Sequence, residues 1–157
     1  VVPSILAPAL AIVAEGARES GRDPAGLDVA LWAPMSIGRD RALARDHARG
    51  RVASALRHPL PVRLSDDDEA AIRRVRESYD AFEHATAGSR HRMLVPDRLV
   101  DLFALAGTPE EVLEQVRRIE AMGSIHRVII LPQVPDRDFI EREVIFRMFA
   151  EEVMGRL

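Results

Sequence analysis

Cysteine, lysine and asparagine are all missing from this chain of 157 residues, so its 22 basic side chains are all arginine. Without a thiol there is no cysteine nucleophile, no disulfide framework and no thiolate zinc site. Without lysine there is no Schiff base and no phosphate-loop lysine, and without asparagine no N-glycosylation acceptor. Aromatics are scarce at 4%, and Trp32 is the only tryptophan. No apolar run is long enough to span a bilayer. The longest at the start, Ile5 to Val13, is followed at once by Glu15, Arg18 and Glu19, which suits neither a membrane span nor a signal peptide. The formal charge of -3, with both signs spread along the chain, leaves no basic stripe for a row of phosphates. These features argue against membrane and nucleic-acid partners and set a cytoplasmic location as the expectation.

What is present is a globular composition, 47% hydrophobic and 30% charged, enough for one domain with a real core. The hydrophobic spacing over residues 4–20 predicts a helix with Ile5, Leu6, Ala9, Ile12 and Val13 inward. Leu27 to Ile37 is a nearly unbroken apolar run that suits a strand buried on both faces. A charged helix over residues 39–58 follows, stopped by Pro59 and Pro61.

Ser65 with Asp68 three residues later marks a helix start, and the helix is expected to run to about Phe82. Asp66, Asp67, Asp68 and Glu69 fall in its first turn, where the helix dipole favours them; consecutive carboxylates diverge around a helix, so no metal site is expected. Ala87-Gly88-Ser89-Arg90-His91-Arg92 has no apolar period and reads as a mobile loop ahead of Val95.

Pro96 opens a short helix, and Leu102 to Ala106 reads as a strand closed by Gly107. Thr108-Pro109-Glu110-Glu111 is the sharpest local signal: Thr108 caps, Pro109 suits the first helical position and Glu111 completes a capping box. That helix runs to Gly123. Arg127 to Pro132 is a third buried strand, and Phe139 to Met154 a final helix with Ile140, Val144, Phe149 and Val153 among its apolar positions.

The order α-β-α-α-β-α-β-α calls for parallel strands joined by right-handed crossovers. Three strands leave two open edges, and the chain opens at Val1-Val2-Pro3 without an initiator methionine. The expectation is therefore that residues 1–157 form one partial domain, the C-terminal half of a (β/α) TIM-type barrel, with a helix-and-loop insertion at about 60–96. Its partner would be an N-terminal half of the same barrel, or a second copy of the chain.

The segments LDVALWAPMSI, VPDRLVDLFALAGTPEEVLEQVRRIEAMG and HRVIILP, in this order and spacing, resemble the C-terminal half of the luciferase-like monooxygenase superfamily. The spacing is most similar to the branch resembling methylenetetrahydromethanopterin reductase. The resemblance implies an eight-stranded barrel, a deazaflavin (coenzyme F-420) or FMN cofactor, and hydride transfer to or from a small organic substrate. About four or five β/α units, with most of the cofactor site and the catalytic residues, would then lie before Val1. Two alternatives stand beside this: an FMN-dependent monooxygenase, and a catalytically silent half-barrel serving as a folding or interaction fragment.

Several residues are candidates for a pocket. Trp32 sits mid-strand, where it could form an aromatic wall. Met35 and Ser36 lie nearer the carboxyl end, where barrels keep their sites. Arg90, His91 and Arg92 form a cationic cluster that could clamp an anion. Gly107 and Thr108 could offer backbone N–H groups to a cofactor phosphate, although Glu110 and Glu111 would oppose it and capping accounts for both. His47, His58 and His126 show no metal spacing and read as surface or structural residues.

Overall fold

A computed structural model of the chain describes residues 1–83 and 86–157. Three strands, β1 (Ala30–Ile37), β2 (Leu105–Gly107) and β3 (Arg127–Pro132), form one parallel sheet in the order β2-β1-β3. Around it lie α1 (Pro3–Glu19), α2 (Arg41–Leu56), α3 (Asp66–Ser78), α4 (Arg90–Met93), α5 (Asp97–Phe103), α6 (Pro109–Glu120) and α7 (Phe139–Glu152). This is the α/β class expected from the alternation, three parallel strands with flanking helices. In a barrel wall wound in chain order β2 would be the middle strand; here β1 is.

That order dictates where the helices go. The path from β1 to β2 and the path from β2 to β3 cross the sheet in opposite directions, so right-handed crossovers put them on opposite faces. Ala33, Met35 and Ile37 of β1 alternate onto one face and pack, with Leu105, against Val112, Val116 and Ile119 of α6 and Ile145 and Phe149 of α7. On the other face Ala104 and Ala106 join Ala48, Val52 and Leu56 of α2, Ile72 and Val75 of α3, and Leu99 and Val100 of α5. Each fully buried Leu, Ile or Val contributes about 1.5–3 kcal/mol. Leu105, with no exposed surface, would cost about 2–5 kcal/mol as alanine.

The helix starts follow the sequence closely. Asp40 caps α2 by accepting from the Ala42 and Leu43 N–H groups at 2.9 and 3.1 Å. Ser65 Oγ accepts from the Asp68 N–H at 3.2 Å. Thr108 and Glu111 form the reciprocal box at α6, and Asp138 caps α7.

Four expectations are corrected. The helix begun at Ser65 ends at Ser78, not near Phe82: Ser78 Oγ donates to the Arg74 carbonyl at 2.9 Å and Tyr79 turns extended. The stretch read as a mobile loop contains α4, because His91 and Arg92 are drawn into the interior and hold that turn; residues 84 and 85 just before it lie outside the described residues. The strand read from Leu102 begins at Leu105, as β2, since Leu102 and Phe103 continue the helix whose Leu99 and Val100 are buried. Finally, Ile12 and Val13 of α1 and Ile140 and Val144 of α7 face outward instead of inward, Ile140 being 80% exposed. A three-stranded sheet is too narrow to cover both sides of an apolar helix, and α7 turns Ile145 and Phe149 to it.

Candidate functional site

The second face of the sheet is only partly roofed. α2 covers Pro34 and Ser36, but Trp32, on the same face, is 64% exposed, and its register partner Ile129 in β3 is 37% exposed. Over this gap, at the carboxyl end of β3, lies a cavity of about 620 Å³. Its walls are Trp32 and Leu131 from the sheet, His47, Gly50 and Arg51 from α2, Arg92 from α4, the turn from Pro132 to Pro135, and Phe139 and Arg142 from α7. A cavity at the carboxyl ends of parallel strands is where α/β proteins place ligands.

The cavity is cationic, and its arginines differ in what they hold. Arg92, only 4% exposed, donates from Nη1 to the Ala87 carbonyl at 2.5 Å and from Nη2 to the Asp46 carbonyl at 2.8 Å, and it pairs with the Asp46 carboxylate. It builds the wall by tying α4 to α2. Among the described residues no carboxylate pairs with Arg51 or Arg142, and the Arg142 Nε is buried without an acceptor. The Arg142 guanidinium lies over the Phe139 ring, 5.4 Å from its centroid.

The acids that could neutralise these groups are engaged elsewhere. Asp138 caps α7 through the Glu141 N–H at 3.0 Å, and Glu141 lies 3.6 Å from His47 Nδ1. Asp136, in the left-handed region at φ 57, accepts from the Ala87 N–H at 3.1 Å and joins the two loops at the rim.

The other candidates from the sequence are placed elsewhere. Met35 is fully buried on the opposite face, in the core beneath α6 and α7. Ser36 is fully buried, its Oγ without a partner among the described residues. His91 is fully buried too; its ring stacks on Tyr79 with centroids 4.4 Å apart and its Nδ1 accepts from the Asp80 N–H. Arg90 is exposed. Of the cationic cluster only Arg92 reaches the cavity, since neighbours on one helical turn diverge.

Gly107 and Thr108 are served by the chain itself. The Thr108 N–H donates to the Glu111 carboxylate at 3.0 Å, and Glu111 Oε1 is 2.8 Å from Arg41. The Glu110 carboxyl is held below its ordinary value, chiefly by a hydrogen bond from its own backbone N–H, with the Thr108 hydroxyl and the charge of Arg156 adding. The α6 start is thus filled by carboxylates.

His47, Arg51, Phe139 and Arg142 were not picked out from the sequence. His47 and Arg51 stand four apart, on one face of α2 beside Gly50, a signal visible in advance; Arg142 joins them only through the packing of the fold.

An open parallel sheet with flanking helices and a cavity over a strand's carboxyl end places the chain in the α/β class. The family follows from comparison: residues 2–126 match luciferase-like monooxygenases, and the chain belongs to that family. It is 30% identical over 125 residues to the 5,10-methylenetetrahydromethanopterin reductase of Archaeoglobus fulgidus, an alignment covering 78% of this chain and 37% of that protein. With the enzyme of the same name from Methanolobus tindarius it shares 26% identity over 152 residues, 91% of this chain and 42% of the relative. The structure of the coenzyme F420-dependent tetrahydromethanopterin reductase from Methanopyrus kandleri superposes with a TM-score of 0.56 and 21% identity, over 93% of this chain and 40% of that one. The chain spans about two-fifths of the length of these relatives.

Proposed function

We propose that residues 1–157 are one partial barrel domain, with an insertion at about 60–96, contributing the substrate-side wall of an oxidoreductase that uses deazaflavin coenzyme F-420 or FMN. The observation that carries this reading is the cavity: in a chain of this family, an exposed indole and two guanidinium groups that meet no carboxylate among the described residues line the carboxyl end of a parallel strand. The name of the Methanopyrus kandleri reductase, which is coenzyme F420-dependent, favours F-420 over FMN.

The residues present fit part of such a cofactor. Trp32 offers an aromatic face on which a planar ring can lie. The α6 start does not suit a phosphate, because its N–H groups face Glu111. When bound, the cofactor would supply hydride transfer between its ring and a small organic substrate. The contribution of this chain is to bind, orient and exclude water: Trp32 and Leu131 form the apolar floor, and Arg92 fixes the α4 wall through Asp46.

The test is a titration of coenzyme F-420 and of FMN into this chain, and into a chain extended by the portion of the relatives it does not cover. Binding only by the extended chain supports the reading. Neither cofactor binding to either chain would reject it.

The exposed Trp32 and Ile129 on the sheet, with Ile140 and Val144 on α7, favour a second reading, a catalytically silent fragment that acts by association. Sedimentation distinguishes the two. A stable oligomer that binds neither cofactor when extended would favour the fragment.

A further inference from the structure

Among the side chains that line the cavity over Trp32, one can take up or release a proton near neutral pH. Arg51, Arg92 and Arg142 keep their charge throughout, Thr86 and Gln133 do not titrate, and among the described residues no carboxylate lines the cavity. The one is His47. Its side chain is 10% exposed, and its Nδ1 lies 3.6 Å from Oε1 of Glu141 on α7. His47 also lines an adjoining cavity of about 430 Å³ whose wall includes Glu141, whereas Glu141 is absent from the wall of the first. The imidazole therefore stands between the two, with Nδ1 turned to Glu141 and Nε2, on the opposite edge of the ring, turned to the Trp32 side. Neither nitrogen is among the buried polar atoms closed to solvent without a partner, so Nε2 is within reach of a ligand.

The other acids near the ring are committed. Asp46, its neighbour on α2, pairs with Arg92 and lies 3.5 Å from Arg49 Nε. On the turn before α7, Asp136 accepts from the Ala87 N–H and Asp138 caps the helix. Cations face the ring's cavity side from α2, α4 and α7, as Arg51, Arg92 and Arg142, which leaves Glu141 as the acid that balances an imidazolium. At 3.6 Å the contact is longer than a hydrogen bond, as the bonds of acid–base residues often are before a substrate closes the site. Negative charge beside Nδ1 favours a proton on that nitrogen and an open lone pair on Nε2.

We infer that His47, positioned by Glu141, is the proton donor and acceptor of this cavity. This rests on the oxidoreductase reading above. When a carbon–heteroatom bond of the substrate accepts hydride at carbon, a C–H bond forms, the bonding pair passes to the heteroatom, and the His47 imidazolium gives that atom its Nε2 proton. The substrate is reduced by two electrons and the hydride-donating deazaflavin or flavin oxidised by two. His47 is left neutral, its remaining proton on Nδ1 toward Glu141. In the oxidising direction Nε2 takes the proton back.

The experiment reads the tautomer of His47 from the NMR shifts of its ring nitrogens in residues 1–157, the signals being assigned by their loss in His47→Gln. In alkaline solution the neutral ring is expected to carry its proton on Nδ1 in the parent chain and to move toward Nε2 in Glu141→Gln. A parent ring protonated on Nε2, or a tautomer that Glu141→Gln leaves unchanged in a folded variant, would overturn the inference. The second reading uses the extended chain with reduced coenzyme F-420 and 5,10-methylenetetrahydromethanopterin, the compound in the relatives' name, as the probe pair. Oxidation of the cofactor should slow about 100-fold in His47→Gln, and the fall in rate that loss of the imidazolium gives the parent at rising pH should disappear. Glu141→Gln should lose less, and Glu141→Asp should recover part of that loss. A His47→Gln rate and pH profile equal to the parent's would overturn the inference while leaving the oxidoreductase reading intact. Failure of the extended chain to bind either cofactor would instead reject that reading, and the place of His47 in a reaction with it. The tautomer is measured without cofactor or substrate, so it decides the pairing of His47 with Glu141 in either case.

Discussion

Arg45 and Asp101 meet through two parallel hydrogen bonds, Nε to Oδ1 at 2.8 Å and Nη2 to Oδ2 at 2.9 Å, and this fork joins α2 to α5. The Arg45 side chain is 13% exposed and that of Asp101 41%, so the pair is neither fully screened nor fully dry. Asp101→Asn is expected to lower the unfolding free energy by about 1–2 kcal/mol, above the range of open surface pairs. A double-mutant cycle with Arg45→Gln in urea should return a coupling of similar size.

Asp68 provides a dependence on acid. Burial by itself would raise its carboxyl, but hydrogen bonds from Ser65 and Arg98, with the charge of Arg98, outweigh that and hold it below the ordinary value of 3.8. Arg98 Nε reaches Asp68 Oδ2 at 2.7 Å. Because the folded-state value is depressed, this stabilisation is complete above the unfolded-state value and is lost as pH falls through the folded one. Asp68→Asn should therefore destabilise the chain at neutral pH, and the gap between variant and parent should close below about pH 4. Thermal unfolding across that range measures it.

Gly107 stands at φ 144, and a Cβ there would meet Glu111 Oε2 at 2.3 Å. Gly107→Ala should thus both strain the backbone and displace the carboxylate that completes the α6 cap, at a cost of about 2–3 kcal/mol. Glu111→Ala alone removes the clash along with the cap. The double variant Gly107→Ala, Glu111→Ala should then be less destabilised than the sum of the two singles.

The fold was legible wherever one local rule sufficed. β3 runs from Arg127 to Pro132 as read, since a short apolar run bounded by His126 and Gln133 leaves little choice; it is not the buried strand expected, because at the edge of the sheet none of its residues is fully covered. The caps at Ser65 and Thr108 are backbone chemistry written in three or four residues. Legibility failed where a partner decided the outcome. α4 is four residues long, too short for a period, and exists because His91 meets Tyr79 and Arg92 meets Asp46. Ile140 and Val144 look like core in a helical projection, yet α7 turns Ile145 and Phe149 to the sheet. The cavity shows the same division. Trp32 was visible as a lone aromatic on a strand, whereas Arg142 is brought to the cavity only by the packing of α7.

The most direct measurement of the central claim is the binding of coenzyme F-420, followed by absorbance and sedimentation, to this chain and to a chain extended by the part of the family fold it does not span. The account predicts no stoichiometric binding by residues 1–157 alone and binding by the extended chain, with Trp32 fluorescence changing as the site is completed. Stoichiometric binding and turnover by residues 1–157 alone would contradict it.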